Sequence, residues 1–461
     1  MAYEPPPNGF RTFLIVWVTQ SISVLGSALT FFAITIWLTQ TVYARPEQKP
    51  ELAFALSAVS LAFALPTVFG APIAGAWADR HDRKRTMMAM DFANGWISLA
   101  LALTITTGVL QMWMLVGLAF LQAMVGAFHA AAFDTSYAML VPEKQLPRAN
   151  GMMQTIWSLS GIVSPAIAAS LIALPALARQ GLVPGSAGNF LAQFTDGSPI
   201  AITLDAVTFF LAALTLIFLY IPSPARRDME GGDQRKPSLL ADVREGALYI
   251  WNRRTLLWLL GTFTVANLVA SPMGILEPLV VKFNLAGDWL ARGLTFETAL
   301  ALLSSIMSAG GVTGGILIST WGGLKKKRVY GVVVAMIVQG LAMIAFGLSS
   351  WLYLSAALGF VISGMVPVMN AHSQAIWQTQ TPRELQGRVF SVRRLIAQFT
   401  WPLSTLLAGL VGGLFNPGAV IVVLGAIYAV FCLAQLFNPY LLRVEDKDWL
   451  DAIAARAAST E

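Results

Sequence analysis

The chain has 461 residues, of which 56% are hydrophobic and only 12% charged, against about 25% charged in a soluble domain, so no water-soluble core absorbs this much apolar surface. The formal charge of +6 is spread over short polar loops between long apolar runs, which excludes a nucleic-acid binder and points to a lipid bilayer. One cysteine and three scattered histidines, His81, His129 and His372, support neither a disulfide framework nor a metal site, and no cofactor motif is present.

A bilayer-crossing helix needs about 20 apolar residues. The opening MAYEPPPNGF lacks the charged start and cleavage site of a secretory signal, so the first apolar run is expected to stay as a helix. In chain order the runs are Thr12 to Gln40, Leu52 to Ala78, Thr86 to Gly108, Met112 to Met139, Asn150 to Leu174 and Ile200 to Ile221. A polar stretch follows, and then Leu256 to Val281, Thr298 to Trp321, Val329 to Leu348, Trp351 to Trp377, Val389 to Leu414 and Ala419 to Leu442. The reading is an all-α polytopic membrane protein of twelve transmembrane helices in two six-helix bundles. The bundles are residues 1–221 and 255–442, with a linker at 222–254 and a tail at 443–461.

With the N-terminus in the cytoplasm, every Lys and Arg except Arg45, Lys49, Arg179, Lys282 and Arg292 falls on the cytoplasmic side. That asymmetry supports both the helix count and two cytoplasmic termini. In the linker, Leu239 to Trp251 reads as an amphipathic helix on the membrane surface or as a plain loop. The halves echo each other. Pro142 and Arg148 in VPEKQLPRANG recur as Pro382 and Arg388 in TPRELQGRVFS, and Gly70 and Gly75 recur as Gly310 and Gly315. Such duplication places a pathway between the halves, opened to alternate sides by rocking.

GAPIAGAWADRHDRKR, Gly70 to Arg85, resembles the signature loop between helices 2 and 3 of the major facilitator superfamily: Gly75, Asp79, Arg80, Arg83 and Lys84 match, and Asp82 stands where the family usually has glycine. LVPEKQLPRANGMMQ from Leu140 is similar to the branch of macrolide-efflux proteins and enterobactin exporters. The resemblance implies a conformational latch, Asp79 against the start of helix 11 near Arg388, with Arg83 close to Glu143 or Asp134. In helix 5, GIVSPAIAAS has Ser164-Pro165 where the family's antiporter motif has Gly-Pro. Gln122 in helix 4 replaces an arginine usual in proton-coupled drug antiporters, so proton coupling is not carried over from that position.

Ionisable groups at membrane depth cost about 2.5–3.5 kcal/mol each on insertion scales, which makes Asp134, His129, Glu277 and Asp205 candidates for a proton or a gate. Asp205 also reads as interfacial, near the outer start of helix 6, and Asp91 as support for the basic loop. Pro272 and Pro278 beside Glu277 are expected to break helix 7. Gln20, Gln122, Asn267, Asn370, His372 and Gln374 are candidate cavity residues, with Trp37, Trp157, Trp377 and Trp401 as stacking surfaces. The function expected is secondary export of a hydrophobic or amphipathic small molecule, with H+ as coupling ion from the branch resemblance and a monomer as the unit. An uptake or lipid carrier of the same fold is the near alternative. A polytopic enzyme or sensor is the distant one, and it lacks a clustered nucleophile and base.

Overall fold

The computed structural model describes the backbone of residues 6–78, 80–222, 239–382, 385–446 and 449, without the side chains of 138, 143, 147, 150, 154, 157, 239–243, 397 and 398. Among the described residues twelve helices are long and apolar enough to cross a membrane, and there is no strand. We number them as spans. Spans 1 to 6 are Gly9–Val42, Pro46–Phe69, Arg83–Thr106, Met112–Tyr137, Gly151–Arg179 and Ser198–Ile217. Spans 7 to 12 are Arg254–Phe283, Phe296–Trp321, Arg328–Leu348, Leu352–Gln380, Gln386–Leu414 and Pro417–Gln435.

Local chemistry sets the breaks. Span 2 stops at Phe69, and a short helix, Ala71–Ala78, follows Gly70. Pro66 within span 2 leaves a weakened turn just before that break. Span 7 is interrupted between Ala270 and Met273, at the expected Pro272. Asp82 caps span 3 by accepting the Arg85 backbone N–H at 2.7 Å, which gives the residue standing in place of glycine a helix-starting role. Lys84 donates to the carbonyl of Ile217 at 3.0 Å, a cation at the C-terminal end of span 6 where the helix dipole favours it.

The chain forms two compact units, Met1–Met229 with Gly293–Ser305, and Glu230–Arg292 with Ile306–Glu461. In the first unit span 6 packs along spans 1 and 3, span 4 lies against spans 2 and 3, and span 5 against span 1. Ser164, in place of the antiporter-motif glycine, is fully buried and donates to Leu25 O of span 1 at 3.1 Å. In the second unit span 9 packs on spans 10 and 12, and span 7 on spans 11 and 12.

The linker segment Leu239–Trp251 is a helix, and it lies against the start of span 11. Glu245 accepts from Arg388 at 2.6 Å, and the Tyr249 hydroxyl donates to Gln380 O at 2.7 Å. Tail residue Glu445, not singled out in the sequence, accepts from the Arg328 backbone N–H at 2.6 Å and from its guanidinium at 3.1 Å. It supplies the start of span 9 with the acidic partner that Asp82 gives span 3.

On the loop between spans 7 and 8, Asp288 is paired to Arg292 at 2.9 Å and accepts the first N–H of span 10, from Leu352, at 2.9 Å. The Arg292 hydrogen bond, and then the Leu352 N–H, hold its carboxyl below the usual carboxylate range. A lowered native pKa stabilises the fold above the ordinary carboxylate pKa, and that contribution is lost as pH falls through the native value. Thermal melting of Asp288→Asn should therefore trail the parent at neutral pH, and the gap should close on acidification. A gap that stays constant with pH would remove the linkage.

Candidate functional site

Among its described residues the first unit carries two deeply buried carboxylates, Asp91 and Asp205. Asp91 lies two turns into span 3. The buried Gln20 side chain of span 1 donates to its Oδ2 at 2.9 Å. The His129 Nε2 of span 4 stands 3.2 Å from its Oδ1, an ion-pair distance without hydrogen-bond alignment. The Asp91 side chain is 1% exposed and that of His129 15%, so the histidine is the more accessible end of the pair.

Asp205 is in the core of the unit, which corrects its interfacial reading. Its Oδ2 accepts from Thr30 of span 1 at 2.7 Å and from Ser98 of span 3 at 3.0 Å. The amide of Gln122 donates to Ser98 Oγ at 3.1 Å. The partners of Asp205 are thus hydroxyls, whereas Asp91 faces an imidazole. Burial of a carboxylate is tolerated only with such hydrogen bonds. Room for it comes from Gly26: a Cβ there would stand 2.5 Å from Thr208 Oγ1 and 2.7 Å from Asp205 Oδ1.

These contacts reassign two expected cavity residues. Gln20 and Gln122 are both buried and turned inward onto Asp91 and Ser98 rather than toward a cavity. His372 is likewise a packing residue. Its Nδ1 meets Val368 O at 2.7 Å, and its Nε2 accepts the Leu324 N–H at 2.9 Å, so it pins the loop between spans 8 and 9 to span 10. With Gly323 and Arg328 it lines a cavity of about 220 Å³, below the roughly 300–1,000 Å³ of drug-sized ligand sites. Gln374 is held by Arg393 of span 11 at 2.5 Å, and the same guanidinium lies over the Trp377 ring. Asn370 is exposed, Asn267 half-buried, and Glu277 half-buried on the second segment of span 7.

Asp79 and the side chain of Glu143 lie outside the described residues, as does the side chain of Trp157. Arg83 is buried and donates to Thr135 O at 2.9 Å, the turn of span 4 that also carries the exposed Asp134. Arg80 is exposed. A Cβ on Gly75 would meet nothing within 4 Å. Lys84 is spent on Ile217, and Arg388 is engaged by Glu245.

Sequence reading missed the pairing of Asp91 with His129 and the seating of Asp205. A usable signal was present, because Asp91, Asn94 and Ser98 recur on span 3, and Gln20, Ser23, Ser27 and Thr30 on span 1, each series at the spacing of one helix face.

A family model described as Major Facilitator Superfamily matches residues 16–405. Macrolide efflux protein A of Streptococcus pyogenes is 26% identical over 400 residues, covering 86% of this chain and 88% of the relative. The protein of the same name from Enterococcus faecalis is 27% identical over 353 residues, covering 76% and 98%. Multidrug efflux pump Tap of Mycolicibacterium fortuitum is 27% identical over 367 residues, covering 77% and 79%. Among solved structures, a bacterial homolog of the human lysosomal transporter Spinster aligns with TM-score 0.63 at 16% identity, over 96% of this chain and 94% of that one. The nucleoside transporter NupG aligns with TM-score 0.59 at 13% identity, over 92% and 98%. With twelve apolar helices and a family match over most of its length, the chain belongs to the Major Facilitator Superfamily, a family of transporters.

Proposed function

We propose that the protein exports hydrophobic or amphipathic small molecules, of macrolide or lipophilic-cation type, across the cytoplasmic membrane by alternating access, with protons moving the other way. The observation that carries the reading is the similarity, over most of the chain, to relatives whose names state macrolide and multidrug efflux. The buried ionisable pair of Asp91 and His129 supplies chemistry suited to a coupling proton. The bundles 1–221 and 255–442 are the two moving halves, the loops bearing Arg83, Arg148 and Lys325 lie in the cytoplasm with both termini, and the working unit is a monomer. Asp134 and Glu277 remain candidates for gating within that scheme.

The test is accumulation of erythromycin and tetraphenylphosphonium in cells lacking their own pumps. Expression should lower accumulation of at least one, and a protonophore should restore it. Accumulation equal to that of empty cells, with the protein shown in the membrane, would overturn the export reading and favour uptake or lipid transport.

A further inference from the structure

Buried polar atoms of the first unit without a hydrogen bond to a described residue include Ser23 Oγ, Asn94 Oδ1 and Asp205 Oδ1, while Asp91 Oδ1 and His129 Nε2 face each other at 3.2 Å without hydrogen-bond alignment. They fall on one seam. On span 3, Asn94 lies between Asp91 and Ser98, and on span 1, Ser23 lies between Gln20 and Thr30. At one end Gln20 and His129 hold Asp91, and at the other Thr30 and Ser98 hold Asp205. From Asp91 to Ser98 is about 10 Å along the helix at 1.5 Å per residue. Within that interval along spans 1 and 3 lie Ser23 and Asn94, whose side-chain oxygens are buried and unpartnered. Buried polar groups so rarely go unpaired that a run of them, spaced along one line, is the mark of ordered water.

We infer that Asp91 and Asp205 are the two ends of a hydrated proton relay inside the first six spans, with His129 as its exit. The inference rests on the reading of proton-driven export and names the groups that hold the proton. In one transfer the O–H bond of the Asp205 carboxyl breaks. Each water in the seam accepts one proton and releases another, and the Asp91 carboxylate gains an O–H bond. No electron changes hands, and the negative charge moves from Asp91 to Asp205. His129, 15% exposed on its side chain, exchanges the proton onward with water.

The charge environment suits a relay. Facing Asp91 are His129 of span 4 and the uncharged Gln20 of span 1. The charge of Asp134, also on span 4, acts on His129. The groups facing Asp205 among the described residues are hydroxyls and amides, from Ser27, Thr30, Ser98 and Gln122. The other charges on the packed spans, Arg11, Arg83, Lys84, Arg85 and Arg179, sit at helix ends. No group of three His, Cys, Asp or Glu side chains suited to a metal exists among the described residues.

The test uses the full-length protein in proteoliposomes with an entrapped pH dye and measures proton entry driven by a potassium diffusion potential, with and without erythromycin inside to exchange for the proton. Binding of erythromycin and tetraphenylphosphonium is measured in parallel. Asp91→Asn, Asp205→Asn and the sealing pair Ser23→Ala with Asn94→Leu should each reduce proton entry by about 100-fold, the scale of a lost proton-transfer group. Probe binding and the gel-filtration profile should stay as in the parent. Infrared difference spectra should show a carboxylic C=O band that shifts in D2O and is missing in Asp205→Asn. Parent-like proton entry in the sealing variant, or in both aspartate variants, would overturn the relay even if erythromycin is bound and exported. Failure of the parent to bind either probe while the proton entry remains seam-dependent would instead overturn the export reading and leave the relay standing.

Discussion

Gly26→Leu should prevent assembly of the first six spans, giving protein that reaches the membrane poorly and elutes as aggregate in detergent. A Cβ at this position already comes within 3.1 Å of the Asp205 Cα, besides crowding the Thr208 hydroxyl and the Asp205 carboxylate. A backbone atom cannot step aside as a side-chain tip does. Span 1 would have to retreat from span 6, and the Thr30 to Asp205 hydrogen bond at 2.7 Å would break with it. Overpacking of a tight core costs about 1–3 kcal/mol or more, and an orphaned buried carboxylate adds to that. Gly26→Ala should show the same defect in weaker form. Gly75→Leu is the control: the space around it is open, and its melting temperature should match the parent. If Gly26→Leu melted like the parent, spans 1 and 6 would not be packed as described.

His372→Ala is expected to destabilise the second unit by about 2–3 kcal/mol, from a part-buried N–H that loses its acceptor and a side-chain cavity. The Leu324 N–H loses its acceptor, and the imidazole leaves a hole against Gly323 and Gly331, both of which it crowds. The readout is a lowered melting temperature with an unchanged KM for transport. A raised KM with unchanged melting would return His372 to the substrate pathway, where its place on a polar helix first put it.

That contrast shows what kind of information the sequence holds. Span number, the break at Pro272 and the extent of the linker helix follow from local features: apolar length, proline geometry and an amphipathic repeat. The role of His372 does not, because its partner, Leu324 N–H, lies 48 residues away on a loop whose path is set by packing. Asp205 was misplaced for a related reason. Its depth along span 6 is readable from position, but whether it faces lipid headgroups or spans 1 and 3 depends on the rotation of the helix in the bundle. The glycine that admits it, Gly26, is one of 38 in the chain, and nothing local distinguishes it. Arg388 was matched to a latch through the family resemblance, and its hydrogen bond to Glu245 of the linker was not legible because that partner lies 143 residues away in the chain.

The central claim is that this chain moves an amphipathic small molecule against its gradient at the expense of a proton gradient. The most direct measurement uses inside-out membrane vesicles from expressing cells, with the interior acidified by respiration, and follows radiolabelled erythromycin. Vesicles containing the protein should concentrate the label above empty vesicles and discharge it when the pH gradient is collapsed. Uptake indistinguishable from that of empty vesicles, or concentration that survives with no pH or electrical gradient across the membrane, would contradict it.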